Sequence, residues 1–504
     1  MLKSRLFYLF LALILVWNAP SVRTESADIV LFYTTDTHGH IASDSETIGL
    51  DMIAGIKTQT PHALLLDAGD FSLGTTLVTL SKGENAVAFM KKAGYFAAAV
   101  GNHEFDYGVE ELLERKREAE SGPDAMHLLS ANVRYANGGL IFSPEARLSL
   151  NGVKICVFGL TTEESAGLIN PGMAADIVFE DALTTAREMS TRQRKDGCEI
   201  IVALSHIGSG DSGPVRSGAI AKLEDIDIVI DGHSHVVLEQ KSQRGSMLVS
   251  PGAHGRLLGK LQISYDKEAG KIIQMRNMFL SPEDTVGYAP DKELAADIYG
   301  LIKQQEALLG ETVGYVTQPL DGSKKKNRRA GTALGALFAD SVREAYGTDI
   351  AIINGGGLRQ GLEAGRVRLR DVVSILPFEN QVVSLKLKGR ELLEILEHGY
   401  SMLPGLSGAF PQISGMKVVI DAGKAPGERI VSVTFDDGLP LDETKGYTLA
   451  TYSYLALGGD GYPVLSGKRW LNSSMSSREA AVRFFRKHGT YSYGPKDQSR
   501  TVFQ

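Results

Sequence analysis

Residues 97–112 read AAAVGNHEFDYGVEEL, in which a run of small apolar residues passes directly into Asn102, His103, Glu104 and Asp106. The apolar run is typical of a short buried strand. The packing of a core does not require an amide, an imidazole and two carboxylates at the end of such a strand. This stretch therefore predicts a functional loop at the carboxyl end of a buried strand, with partners supplied by other parts of the chain.

Other strands predicted in the first half end in the same kinds of side chain. Apolar runs such as DIVLFYTTD, HALLLDAGD, EIIVALSH and DIVIDGH alternate with amphipathic helical patterns, which predicts an α/β domain with helices on the sheet faces. The carboxyl ends of strands collect ligands in such folds, and mixed carboxylate, imidazole and amide groups suit hard and borderline cations. The candidate metal ligands at these ends are Asp36, His38, Asp70, Asn102, His206, His233 and His235.

The length and charge of the chain limit the class of protein. A chain of 504 residues is too long for one core, so two or three domains are expected. The net charge of −7 argues against a surface that binds a nucleic acid polymer. We expect a first domain over residues 28–285, a connecting helix and hinge over residues 286–311, and a second α/β domain over residues 312–490.

The N-terminus has the pattern of a secretory signal peptide. Lys3 and Arg5 precede an apolar run of 12 residues, which small residues follow. A membrane-spanning helix needs about 20 apolar residues. Residues 1–21 are therefore predicted to be a cleaved signal, with an uncleaved anchor as the alternative. We expect an exported protein, periplasmic or secreted, with no stable membrane anchor in the mature chain.

The chain has two cysteines, Cys156 and Cys198, and each lies in or beside an apolar run. Free cysteines are often buried and behave as small apolar side chains. Two buried free thiols are therefore the preferred interpretation, and a single disulfide is the alternative.

The ordered motifs DTH, GD, GNHE, SH and GHSH resemble those of the calcineurin-like metallophosphoesterases. The motif GNHEFDYG, together with the C-terminal half, resembles the two-domain 5′-nucleotidase family. The resemblance implies an α/β fold, with a layered β-sandwich flanked by helices and a second α/β domain. It implies two divalent metal ions, for which Zn, Mn and Co are all suitable. The first would be held by Asp36, His38, Asp70 and His235, and the second by Asp70, Asn102, His206 and His233.

Two metal ions about 3.5–4 Å apart can activate a bound hydroxide for attack on phosphorus. The resemblance then implies a catalytic role for His103, which would stabilise the phosphoryl group or protonate the leaving oxygen, with Asp106 orienting its ring. Glu104 is expected to be structural. His40 and His254 are candidates for residues just outside the metal ligands, or for ordinary surface residues.

The C-terminal half carries motifs that the family uses for the nucleotide. By resemblance, Phe378 and Tyr454 would stack on the base, Asp460 would hold the ribose hydroxyls, and Asn354 would lie near the base edge. Arg359 would contact phosphate, and Arg329 in the basic run SKKKNRR is the candidate for a further contact. The alternatives are a solvated basic loop and, for Phe378, a core position.

These motifs predict a phosphohydrolase that removes the 5′-phosphate from nucleoside monophosphates, with UDP-sugars as further candidate substrates. The alternative is a 2′,3′-cyclic-nucleotide 2′-phosphodiesterase/3′-nucleotidase, which shares the metal motifs. A thiosulfohydrolase of sulfur oxidation is less favoured, since GNHEFDYG is intact. A non-enzymatic nucleotide-binding protein is least favoured, because no ligand position is lost.

Overall fold

The computed structural model describes residues 26–168, 177–209, 217–243, 245–378, 380–492 and 500–504. The predicted signal peptide, residues 1–21, lies outside the described residues. Within the described ranges, every helix is too short or too polar to span a membrane.

The described residues of the first half form two six-stranded sheets, whose orders are β14-β13-β1-β2-β3-β4 and β11-β12-β10-β9-β7-β6. The strands are β1 Ser26–Thr34, β2 Ala63–Asp67, β3 Ala97–Ala99, β4 His127–Leu129, β5 Val133–Tyr135, β6 Glu145–Leu150, β7 Val153–Thr161, β8 Ile177–Phe179, β9 Ile200–His206, β10 Ile228–Asp231, β11 Val237–Lys241, β12 Met247–Pro251, β13 Leu258–Asp266 and β14 Lys271–Leu280. Strands β5 and β8 form a separate antiparallel pair.

The two sheets pack face to face, because alternate residues of their strands point into a shared core. Ile200, Val202 and Leu204 of β9 face the other sheet, whereas Ile201 and Ala203 face the outer helices. Helices cover both outer surfaces, which gives a layered β-sandwich flanked by helices. The helices are α1 Leu50–Thr58, α2 Thr76–Thr79, α3 Glu84–Ala93, α4 Val109–Ala119, α5 Ser165–Leu168, α6 Ala182–Lys195, α7 Ser217–Ile220 and α8 Lys292–Leu309.

Helix α8 occupies the predicted connecting segment between the two halves. Its Leu294 and Ile298 are buried in the core that also contains residues of α1 and α3. Asp291 caps it by accepting a hydrogen bond from the Leu294 N–H at 2.9 Å. The helix is therefore packed against the first half of the chain.

The prediction of two free thiols is wrong, because Cys156 and Cys198 form a disulfide. Cys156 lies in β7, and Cys198 lies just before β9, its parallel neighbour in the sheet. The helix α6 returns the chain between these strands, so the two Cα atoms come within 5.9 Å although the residues are 42 positions apart. The spacing in the sequence does not reveal this adjacency.

The second half is also α/β, and its main sheet has the order β19-β16-β22-β18-β23. Its strands are β15 Thr312–Val316, β16 Ile350–Asn354, β17 Gly365–Arg368, β18 Gln381–Lys388, β19 Pro411–Ser414, β20 Met416–Ile420, β21 Ile430–Phe435, β22 Gly446–Tyr452, β23 Trp470–Ser476, β24 Thr490–Tyr491 and β25 Thr501–Phe503. Its helices are α9 Lys324–Asn327, α10 Ala333–Tyr346, α11 Leu369–Ile375, α12 Gly389–Tyr400, α13 Ser453–Ala456 and α14 Ser477–His488. The predicted fold class is confirmed.

Candidate active site

The predicted ligands gather at one edge of the sandwich, beyond the carboxyl ends of the parallel strands β1, β2 and β3 and of the parallel strands β9 and β10. Many of these residues have left-handed backbone, which is uncommon outside glycine and recurs at functional sites. The φ angles are 48° at Asp36, 46° at His38, 61° at Asp70, 75° at His233 and 58° at His235. The turns after the strands therefore bend sharply and aim neighbouring side chains at a common centre.

His206 and Asp70 form the buried middle of this cluster. The Nδ1 atom of His206 lies 2.8 Å from the carbonyl oxygen of Ala68, so Nδ1 carries the proton that is donated there. The buried Nε2 atom lies 3.1 Å from Asp70 Oδ2, but it forms no well-aligned hydrogen bond within the described part of the chain. Burial lowers the pKa of His206, but the carboxylates of Asp70 and Asp36 outweigh burial and raise that pKa to about 10. The cluster therefore attracts positive charge to this point.

His38, His235 and Asp36 form a second group beside Asp70. The Nδ1 atom of His38 lies 3.1 Å from the carbonyl oxygen of Leu73, which leaves Nε2 to face the Nε2 of His235 at 3.1 Å. Burial lowers the pKa of His38 to about 3, so its imidazole is neutral and has a lone pair to offer. His235 Nε2 is also 3.3 Å from Asp36 Oδ1.

Asn102 and His233 form the other side of the cluster. His233 Nδ1 lies 2.9 Å from the amide oxygen of Asn102, and its Nε2 lies 3.3 Å from Glu164 Oε2. A carboxylate on the far nitrogen of a metal-binding histidine fixes the orientation of the ring. Glu164 was not predicted from the sequence, because nothing in TTEESAG resembles a ligand motif.

Glu104 joins two of the loops that carry ligands, which agrees with the structural role expected for it. Its carboxylate accepts hydrogen bonds from the backbone N–H groups of Asp70, Phe71 and Gly101 at 2.9, 2.9 and 2.7 Å. The Ser72 N–H donates to it as well, at 3.1 Å. Four donors on one buried carboxylate hold the loop after β2 against the loop after β3.

The donor set fits divalent cations. Among the described residues, three groups of candidate ligands each have ligand atoms that lie within 4.8 Å of one another. These are Asp70 with His206 and His233, Asp36 with His38 and Asp70, and His38 with His235 and His254. Asp70 belongs to two of the groups, so its carboxylate could bridge two ions. A cation bound by His206 and Asp70 would take the place of the His206 proton, because a histidine ligand must be deprotonated.

His103 lies beside this cluster and does not belong to any of the three groups. Its Nδ1 is 2.6 Å from Asp106 Oδ2, within the short 3-10 helix His103–Tyr107, where residues three apart lie one above the other. Its backbone N–H donates to Asp70 Oδ1 at 2.9 Å. Burial lowers the pKa of His103, but the carboxylates of Asp106 and Asp70 outweigh burial and raise it. The two carboxylates therefore favour the protonated form of the His103 imidazole.

A cavity of about 440 Å³ extends from His103 into the second half of the chain. The second half contributes Lys324, Arg328, Asn354, Arg359, Phe378, Asn380, Tyr454 and Asp460 to its walls. The ring of Phe378 stacks on His103 with the centroids 5.9 Å apart, and the Arg359 guanidinium lies 5.4 Å from the centroid of Phe378. Basic, aromatic and acidic side chains of the second half thus line the same cavity as the candidate metal ligands.

The structure places Arg328 on this cavity, whereas Arg329 is exposed and does not line it. Helix α9 explains the difference. Lys324 and Arg328 are four residues apart and lie on the same face, so both reach the cavity, while the next residue turns away. The sequence indicated the basic run but not the phase of its short helix.

Asp460 is held by its neighbours on the cavity wall. Its Oδ2 accepts a hydrogen bond from Asn354 Nδ2 at 2.8 Å, and its Oδ1 accepts one from the hydroxyl of Tyr454 at 3.1 Å. Asn380, which the sequence analysis missed, accepts a hydrogen bond from the Tyr454 N–H at 3.1 Å. Three of the predicted nucleotide residues, Asn354, Tyr454 and Asp460, therefore form one hydrogen-bonded group.

Comparison with known proteins agrees with this architecture. Residues 30–237 match the calcineurin-like phosphoesterase family, and residues 312–467 match the 5′-nucleotidase C-terminal domain. The chain belongs to the 5′-nucleotidase family. The predicted membership of this family is confirmed, and so is the prediction of a metal-dependent phosphoester hydrolase.

Relatives of this 5′-nucleotidase family member cover most of its length. It is 30% identical over 482 residues to the trifunctional nucleotide phosphoesterase protein YfkN of Bacillus subtilis. The match covers 87% of this chain but only 32% of the length of YfkN. It is 28% identical to protein UshA of Yersinia enterocolitica, with 96% of both proteins covered. The crystal structure of a 5′-nucleotidase precursor from Thermus thermophilus superposes with a TM-score of 0.78 at 26% identity, covering 95% of this chain and 99% of that one.

Proposed function

We propose that this protein is a dimetal 5′-nucleotidase that releases phosphate from nucleoside 5′-monophosphates. One observation carries the proposal, which is that a single cavity is lined both by candidate metal ligands and by a connected group suited to a nucleoside. Asp70, Asn102 and His233 of the first half line this cavity, and so do Phe378 and Tyr454 of the second half. Aromatic side chains can stack on a base with a gain of ~1–3 kcal/mol and with little selection among bases.

Asp36, His38, Asp70 and His235 would hold one divalent cation, and Asp70, Asn102, His206 and His233 would hold the other. Such ions, when bound, supply Lewis acidity and a nucleophile at neutral pH. The mixture of ligands suits Zn, Mn or Co. We take the first domain as residues 28–285, the connecting segment as residues 286–311 and the second domain as residues 312–490.

The protein side chains would position the substrate and move one proton. Arg359 and Arg328 present positive charge to the phosphate. His103, oriented by Asp106, donates its proton to the leaving 5′-oxygen or stabilises the phosphoryl group. Asp460 accepts hydrogen bonds from the ribose hydroxyls while Phe378 and Tyr454 enclose the base.

Export is part of the proposal. It rests on the signal-like pattern of residues 1–21 and is supported by the disulfide of Cys156 and Cys198, since such bonds persist mainly in oxidising compartments.

The test is phosphate release by the purified protein loaded with Mn²⁺ or Zn²⁺. The substrates are 5′-AMP, 3′-AMP, 2′,3′-cyclic AMP, a UDP-sugar and p-nitrophenyl phosphate. His103→Ala is the diagnostic variant, and His488→Ala is its control, because His488 is exposed and far along the chain in α14. Activity on 5′-AMP that is lost only in the first variant supports the proposal.

Activity concentrated on 2′,3′-cyclic AMP or 3′-AMP would favour the alternative 2′,3′-cyclic phosphodiesterase/3′-nucleotidase function. That alternative is kept because the relative YfkN is described as a trifunctional nucleotide phosphoesterase. Activity on the chromogenic ester alone would refute the assignment of the nucleoside pocket.

A further inference from the structure

The loop between β12 and β13 brings an additional imidazole to the metal-ligand edge. His254 lies in this loop with left-handed backbone, at a φ of 63°. Its N–H donates a hydrogen bond to the carbonyl oxygen of Asp36 at 2.8 Å, and the Ile48 N–H donates to the carbonyl oxygen of Gly255 at the same distance. The loop is thereby fastened to the backbone of a proposed ligand and to the segment before α1.

The ring of His254 is surrounded by other imidazoles. Its centroid lies 5.6 Å from that of His38, 5.6 Å from that of His235 and 4.8 Å from that of His40. Among the described residues, neither ring nitrogen of His254 has a hydrogen-bond partner, whereas His40 Nδ1 is 2.9 Å from the carbonyl oxygen of Thr37. A histidine kept for a local hydrogen bond would not be expected to lie among three imidazoles without such a bond.

One nitrogen each from His38, His235 and His254 lies within 4.8 Å of the others. The Nε2 atoms of His38 and His235 approach each other to 3.1 Å, and Nδ1 of His38 faces a carbonyl oxygen, which leaves Nε2 of His38 to face the group. Three imidazole nitrogens that converge in this way could together hold a cation. Three histidines are a ligand set typical of catalytic zinc.

We propose that His254 is an additional ligand at the first metal position, where it makes the site prefer Zn²⁺ or Co²⁺ to Mn²⁺. Imidazole favours the borderline cations, whereas carboxylate and water favour Mn²⁺, so a third imidazole shifts the balance toward zinc. The inference rests on the metal centre proposed above, but it assigns a ligand that lies outside the motifs DTH, GD, GNHE, SH and GHSH.

The experiment compares metal binding by the full chain and by three variants, after removal of metal with a chelator. His254→Phe keeps a ring without a nitrogen, and His254→Gln keeps a side chain with a lone pair. His40→Phe is the matched control, because the ring of His40 contacts that of His254 but is outside the three-imidazole group. The readouts are Zn²⁺ affinity by chelator competition, Mn²⁺ affinity by electron paramagnetic resonance, and the visible absorption of the Co²⁺-loaded protein.

We expect His254→Phe to weaken binding of Zn²⁺ at one of two sites by at least roughly 10–100-fold, the loss typical of groups that only support a ligand. The affinity for Mn²⁺ should fall much less, so the ratio of Zn²⁺ affinity to Mn²⁺ affinity should be smaller in the variant than in the parent. The Co²⁺ absorption should change, His254→Gln should restore part of the affinity, and His40→Phe should resemble the parent. Circular dichroism checks folding, and His254→Ala replaces the Phe variant if the larger ring is not accommodated.

An unchanged Co²⁺ spectrum overturns the inference even if affinity falls, because His254 would then act through another residue. Unchanged zinc affinity also overturns it. In either case two bound ions in the parent protein would leave the proposed metal centre standing. A parent protein that binds no divalent ion would refute the centre itself and this inference with it.

Discussion

The hydroxyl of Tyr454 lies 3.1 Å from Oδ1 of Asp460 and accepts a hydrogen bond from the Asp460 N–H at 3.0 Å. Asp460 has left-handed backbone with a φ of 51°, and Asn354 holds the second oxygen of its carboxylate. The hydroxyl of Tyr454 therefore orients the carboxylate of Asp460, and in the proposed nucleoside pocket its ring would offer a stacking surface.

Replacing Tyr454 by Phe should weaken the binding of ribonucleotides while the stacking surface is kept. We expect KM for 5′-AMP to rise roughly two- to tenfold, from ~0.5–1.5 kcal/mol per lost hydrogen bond, with a smaller rise for 2′-deoxy-AMP. Phe378→Leu is the comparison, because loss of stacking should affect both substrates equally. Equal effects of Tyr454→Phe on the two substrates would contradict the orienting role.

His103→Gln distinguishes the two roles open to this imidazole. If His103 protonates the leaving oxygen, kcat for 5′-AMP should fall by about 10²–10⁴-fold. p-Nitrophenyl phosphate has a leaving group that needs no proton, so its kcat should fall much less. Stopped assays of phosphate release with both substrates check this. A fall of the same size for the two would instead assign His103 to stabilising the phosphoryl group.

The adjacent arginines of the basic run should behave differently. Arg328 lines the cavity and Arg329 is exposed. Arg328→Ala should raise KM for 5′-AMP by roughly 10–100-fold, since a hydrogen bond to a charged group contributes ~1.5–3 kcal/mol. Arg329→Ala should leave KM within about twofold, as expected for a surface charge. Initial-rate kinetics test the pair, and a larger effect of Arg329→Ala would reverse the assignment.

Asp67 should make stability depend on pH. Burial raises the pKa of its carboxyl from 3.8 to about 8, and Thr34 and the Gly69 N–H only partly offset this. The native state therefore binds a proton that the unfolded state releases above pH 3.8, so stability falls as pH rises from there to about 8. The slope is at most about 1.4 kcal/mol per pH unit.

Asp67→Asn should remove this dependence. The melting temperature of the variant minus that of the parent should therefore increase as the pH rises toward 8, and above that pH the difference should stay constant. Asp124→Asn is the control, because Asp124 is exposed. Thermal melts by circular dichroism between these pH values measure the difference. A difference that does not change with pH would mean that Asp67 is ionised in the folded protein.

Removal of the disulfide should destabilise the first half of the chain. The bond between Cys156 and Cys198 closes a loop of 42 residues, for which the chain-entropy relation gives about 4 kcal/mol. The double variant Cys156→Ala/Cys198→Ala should lose stability of this order in urea unfolding. Because both residues are buried, the native parent should resist a thiol reductant, and it should yield two thiols only after unfolding.

The sequence alone determined the fold class and the positions of the candidate metal ligands. Asp36, Asp70 and Asn102 each lie within a few residues of the end of an apolar run, and parallel strands place their carboxyl ends at one edge. Such information is local, because a strand is recognised from its own residues and its end from the next few. His103 and Asp106 are predictable in the same way, since both lie within one short turn.

The tertiary structure alone decided which distant residues become neighbours. The pairing of Cys156 with Cys198 depends on β7 lying next to β9, and the contact of Glu164 with His233 depends on two separate loops. Arg328 lines the cavity and Arg329 does not, because the short helix α9 places Arg328 on the same face as Lys324. His254 reaches the cluster because β13 pairs with β1 and returns its loop to Asp36. Long-range contacts follow from the packing of whole sheets, which no short stretch of sequence records.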